Sequence, residues 1–128
     1  MSVGYKLYRE VRDFAPADWT AVERLVAWVI ADDARDETRR SFIESELIAI
    51  RTGLSARGIR AALQRLSERG YEFRVSHGKG SDGREVYAAR NHPPDYQVPL
   101  IAEIRTAGMT LGTPVDNRPE GGMDRSPS

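Results

Sequence analysis

The sequence predicts a mainly α-helical domain closed by a small β-hairpin: three helices, then two short strands around a glycine-rich loop. Three observations predict it. Apolar residues recur at helical spacing from Trp19 to Ile30, and again from Ile59 to Leu66. Between these patterns lies the breaker "TGLS", Thr52 to Ser55. After Gly70 the period drops to two, with Tyr71, Phe73 and Val75 alternating with Glu72, Arg74 and Ser76.

The elements follow in order. Residues 1–15 mix aromatics and charges without a clear period, so they are read as an N-terminal arm or short strand. Pro16 suits the first position of a helix, where its missing N–H costs nothing. The first helix is placed at 17–33, with residues 19, 22, 25, 26, 29 and 30 on its apolar face. Trp28 lies off that stripe, which leaves it to cover the arm or to meet a partner. A polar connection fills 32–40, and Ser41-Phe42-Ile43 is a candidate short strand. Ser45 is a candidate cap for a second helix over 46–52, ended by Gly53 in the left-handed conformation. Ser55 caps the third helix, which buries Ile59, Ala62, Leu63 and Leu66 and ends near Arg69 and Gly70.

"YEFRVS" then reads as a half-buried strand, "HGKGSDG" as a loop, and "REVYAA" as the antiparallel return. Residues 91–128 form a C-terminal extension. Within it 95–107 can add a strand or short helix, and the chain from about 108 is expected to be flexible, being rich in Pro and Gly.

Charge narrows the partners. The 19 basic and 19 acidic residues cancel in total. They are not evenly spread: residues 10–50 hold five arginines and ten acids, residues 51–90 nine basic and four acidic side chains. Such a division suggests one face made for an anion, or simply two solvated faces of opposite sign. With no cysteine, disulfides and thiolate metal sites are excluded. The longest apolar stretch, Leu25 to Ala31, is too short to span a bilayer, and no apolar leader opens the chain. A soluble cytoplasmic protein without membrane association is the expectation.

"AIRTGLSARGIRAALQRL" carries the functional signal. Two helices joined by a tight turn can present the second one outward. Ala49 is small enough for close approach, Gly53 reverses the chain, and Ile59 and Ala62 pack the second helix on the first. The turn Thr52-Gly53-Leu54-Ser55, with Leu63, Leu66, Gly70 and the hairpin that follows, resembles the winged helix-turn-helix domains of phage, plasmid and replication-initiation proteins. The resemblance covers about residues 17–90. It implies a domain over 16–90 that binds double-stranded DNA, as a transcriptional regulator or a replication or excision control protein of a mobile element. Gly58 departs from the pattern, which often carries there a side chain that touches phosphate.

On the third helix Arg57, Arg60 and Gln64 share an outward sector near its start. Arg and Gln are the side chains that pair bidentately with base edges, so these three are the candidate base contacts. Ser55 and Ala56 open the helix, where free N–H groups can hold phosphate. They join Arg65, Arg69, Lys79 and Arg84 as candidate backbone contacts. An arginine-rich solvated helix and a contact-free hairpin are the plain alternatives.

Enzymatic readings fare badly. His77 and His92 both fall in predicted loops, and Asp32, Asp33, Asp36 and Glu37 lack the spacing of a calcium loop. No catalytic residue, metal or cofactor is expected. Beyond DNA, the fold class allows a homodimer on a two-fold site and a host or replication protein as partners. The competing function is a winged-helix protein-interaction module with no DNA role.

Overall fold

The computed structural model describes residues 5–88 and 93–112. Among them the chain is mainly helical, with one small antiparallel sheet: α1 (Tyr5–Phe14), α2 (Ala21–Asp33), β1 (Arg40–Ser41), α3 (Ser45–Thr52), α4 (Ala56–Glu68), β2 (Tyr96–Gln97) and α5 (Ile101–Gly112).

The N-terminal arm is a helix. Leu7 and Val11, one helical turn apart, are buried, and α1 packs on both α2 and α5. Lys6, Arg9, Arg12 and Asp13 face solvent. Tyr8 meets Trp28 at 6.0 Å between ring centroids, so Trp28 covers this helix.

Pro16 does not open α2; it lies in a turn, its carbonyl accepting from Trp19 N at 3.2 Å. The helix starts later because Thr20 caps it. Thr20 Oγ1 accepts from Glu23 N at 3.2 Å, and Glu23 Oε1 accepts from Thr20 N at 3.1 Å, a reciprocal capping box. Trp19, just ahead of the cap, packs edge-on against Tyr71 and Phe73. The inner face of α2 is turned by about one residue from the expected stripe. Glu23, Val26, Ala27, Ile30 and Ala31 are buried, whereas Val22, Leu25 and Val29 are only half-buried. Small alanines let α3 and α4 approach, and Glu23 is tolerated inside because two arginines reach it.

In α3 the cap is Glu44 rather than Ser45, with no side-chain bond. Ser45 instead pairs its hydroxyl with Tyr96 Oη at 2.9 Å. Gly53 ends α3 at φ 75°, a left-handed conformation that disfavours a side chain, with its N–H on Ala49 O at 2.8 Å. Ser55 Oγ accepts from Gly58 N at 3.0 Å and opens α4, whose Ile59, Ala62, Leu63 and Leu66 are all buried as expected.

The strand pairing differs from expectation. β1 occupies 40–41 rather than 41–43, and pairs Arg40 with Gln97 and Ser41 with Tyr96. The other edge of 95–97 takes the extended 73–75 stretch: Val75 N donates to Asp95 O at 3.0 Å and Gln97 N to Phe73 O at 2.8 Å. The hairpin begins only after that. His77 N donates to Val86 O at 2.7 Å, Val86 N to Gly78 O at 2.8 Å, and Gly80 N to Arg84 O at 2.8 Å. Alternation correctly turned Tyr71 and Phe73 inward, but it does not specify which strand lies alongside. Tyr96, Val98 and Ile101 are buried in the common core, which thus continues past residue 90. α5 runs to Gly112, beyond the predicted onset of flexibility; the rest of that prediction, 113–128, lies outside the described residues, as does His92.

Candidate nucleic-acid interface

α4 divides its arginines between two jobs. Arg65 in its C-terminal half and Arg69, the residue that caps its C-terminus, turn back to α2. Arg65 Nε donates to Glu23 Oε2 at 2.7 Å, and Arg69 donates to Glu23 Oε1. Burial pushes the Glu23 carboxyl up, but bonds from Arg65, the Thr20 backbone and Arg69 outweigh it and hold the group below its ordinary value. The two arginines offered as phosphate contacts are therefore the counter-ions of a buried acid. Glu23 itself escaped the sequence reading, although "TAVE" carries the capping-box signature that places it.

At the N-terminal half the arrangement is open. Arg57 and Arg60 are exposed, and neither side chain has a hydrogen-bond or ion-pair partner among the described residues. With Gln64 they line a cleft of about 580 Å³ between α4 and the base of the hairpin, whose other walls include Arg74, Tyr87, Pro94 and Tyr96. The structure thus brings the three candidate base contacts together. Gln64 is already engaged: its Oε1 accepts from Arg74 Nη1 at 3.1 Å and its Nε2 donates to Glu68 at 3.2 Å.

Arg74 and Tyr87 are the cleft residues that the sequence reading missed. The Arg74 guanidinium lies 4.1 Å from the Tyr87 ring centroid. It is held there by Glu72, which accepts from Arg74 Nε and Nη2, both at 2.9 Å. Ser67 and Tyr87 donate their hydroxyls to the same carboxylate, at 2.8 and 3.2 Å. Burial again raises Glu72, and the Arg74 bonds bring it below its ordinary value. The available signal was the i, i+2 spacing of Glu72 and Arg74, which puts them on one face of an extended strand.

Ser55 and Ala56 stand exposed at the start of α4, with the Ser55 oxygen occupied by its cap. Lys79 and Arg84 sit on the hairpin, outside the cleft lining. Lys79 pairs across the hairpin with Glu85 at 3.3 Å, and the exposed Arg84 side chain has no partner among the described residues.

Among the described residues no helix is long and apolar enough to cross a membrane. Comparison with protein-family models, with curated proteins and with solved structures gives no match.

Proposed function

We propose that this chain is a winged helix-turn-helix protein that binds double-stranded DNA, with α3 and α4 as the helix pair and the 77–86 hairpin as the wing. One observation carries the reading. Arg57 and Arg60, one turn apart on the outward side of α4, have no counter-ion among the described residues, while Arg65 and the C-cap Arg69 are paired with Glu23. Unpaired guanidiniums grouped on one face attract an anion, and in this helix position they reach base edges or phosphates. Arg84 on the wing is a further exposed cation. The cellular role that fits is transcriptional regulation, or replication or excision control in a mobile element.

The test is a titration of the chain on duplex DNA from its own upstream region and on random duplex, at several salt concentrations. Log affinity is expected to fall linearly with log salt, with tighter binding to one upstream site. A folded chain with no salt-dependent affinity for either duplex overturns the reading. A second reading has its own observation: Phe42 and Ile50 are 64% and 76% exposed, large apolar side chains within the acidic stretch 10–50 of the chain. These favour a protein partner, and capture of that partner by a chain without DNA affinity would replace the first reading.

A further inference from the structure

The cleft beside Arg57 and Arg60 is concave. A base edge in an intact duplex stays in its stack and can meet only the exposed Arg57 and Arg60 at the rim; a base that reaches Leu63 and Tyr87 must leave the stack. The volume, about 580 Å³, falls in the ordinary range of small-ligand sites, roughly 300–1,000 Å³. Leu63, Ala61 and Pro94 give it apolar walls. Tyr87 adds an aromatic ring whose position is fixed, because its hydroxyl is bonded to Glu72 and its ring carries Arg74. Arg57 and Arg60 add two cations without a partner among the described residues.

Apolar walls and a ring suit a planar heterocycle, and paired guanidiniums suit a phosphate. Both features in one cleft fit a single nucleotide. Gln64 is consistent with this: bonded at both ends, it supports the wall through Arg74 and Glu68, and reading a paired adenine would require breaking both bonds.

We propose that the cleft between α4 and the hairpin takes one unstacked nucleotide, its base among Leu63, Pro94 and Tyr87 and its phosphate on Arg57 and Arg60. The inference rests on the nucleic-acid reading above and makes it more specific: the preferred DNA is locally unpaired. The same chemistry is offered by a free mononucleotide, and the experiment separates the two sources.

The full chain is titrated with three probes at one salt concentration: a duplex with a central paired 2-aminopurine, the same duplex with 2-aminopurine as a single-base bulge, and 2-aminopurine riboside 5′-monophosphate alone. The bulged duplex is expected to bind on the order of tenfold more tightly than the paired one, with quenching of the base's emission on stacking. In Ala61→Trp, which fills the cleft from an exposed helix position, and in Tyr87→Leu, that ratio is expected to fall toward one. Thermal melts of both variants verify that they are folded. Equal binding of paired and bulged duplexes, with no mononucleotide bound, overturns the cleft proposal and leaves duplex binding intact. A ratio that survives in folded Ala61→Trp and Tyr87→Leu overturns it equally. Binding of the mononucleotide without either duplex supports the cleft as a small-molecule site and overturns the DNA reading. Binding of none of the three overturns both.

Discussion

Glu23 on α2 and Arg65 on α4 are joined by a 2.7 Å ion pair in which the carboxylate is completely buried. Arg69, the C-cap of α4 one turn further on, binds the other carboxylate oxygen. A carboxylate alone in that position would be several kcal/mol unfavourable, so the two arginines determine whether α4 can dock on α2. Replacing both with alanine is expected to cost about 3–5 kcal/mol, a large part of the roughly 5–15 kcal/mol typical of a domain. Single replacements should cost less, because the remaining arginine still reaches the acid and both are partly exposed. Urea unfolding of the three variants checks the order; a double variant as stable as the parent would mean that Glu23 takes up a proton at little cost.

The same geometry sets a pH dependence. Glu23 and Glu72 are both held below their ordinary value of 4.5. A carboxyl depressed by folding contributes stability that is complete above its unfolded value and lost as pH falls through the folded one. Stability is therefore expected to be flat from neutral pH down to about 5 and to decline below 4.5. Glu23→Gln should lower the plateau and reduce the acid slope. Thermal melts from pH 7 to pH 3 measure both; an unchanged slope in Glu23→Gln would assign the acid loss elsewhere.

The N-terminal helix is expected to be integral to the domain. Leu7 is 2% exposed, and truncation of a buried leucine costs about 2–5 kcal/mol. Leu7→Ala should thus lower the denaturation midpoint markedly, whereas Lys6→Ala, on the solvent face, should stay within about 0.5 kcal/mol of the parent. Equal behaviour of the two would show that α1 is not packed in solution.

Parts of this fold were legible because local chemistry alone decides them. Gly53 and Ser55 mark the turn, and the four apolar residues of α4 repeat at one spacing that no other element overrides. α1 was missed although Leu7, Tyr8, Val11 and Ala15 do form a helical stripe, because three aromatics and scattered charges within so short a stretch blur the period. The partner of 73–75 was not legible for a different reason. Pairing is decided by chain closure, and the residues that supply it, Tyr96 to Val98, are a brief alternation between prolines. In the candidate site, exposure of Arg57 and Arg60 followed from helical phase. The division of these arginines did not, since it depends on an acid of α2 whose side chain was not expected inside the core.

Gly58 offers a test of how closely a ligand approaches α4. A Cβ there would sit 3.4 Å from Ser55 Oγ and 3.9 Å from Leu54 Cβ, ordinary contact. Gly58→Ala should therefore stabilise the helix by up to about 1 kcal/mol. If a nucleic-acid backbone lies against this turn, the same methyl should weaken binding while raising the melting temperature. Melting and binding measured on one preparation separate the two effects; a gain in both would show that the glycine is not needed for approach.

The last prediction separates the two groups of arginines on α4. Arg57→Ala and Arg60→Ala remove exposed cations with no partner among the described residues, so neither should change stability by more than about 0.5 kcal/mol. Each should weaken DNA binding, by about 1–3 kcal/mol where the side chain contacts a base. A change in the salt slope of roughly one would instead mark a phosphate contact. Arg65→Ala and Arg69→Ala should behave oppositely. Their guanidiniums are bound to Glu23, so melting temperature should fall, while affinity measured well below the melting point should remain close to that of the parent. Lys79→Ala should weaken specific and random DNA alike, since Lys79 is 67% exposed on the hairpin and its pair with the exposed Glu85 is a weak surface one that a phosphate can displace. Melting curves and salt titrations on all five variants would decide the division. Loss of affinity in Arg65→Ala at full foldedness, with none in Arg57→Ala or Arg60→Ala, would move the interface to the other end of the helix.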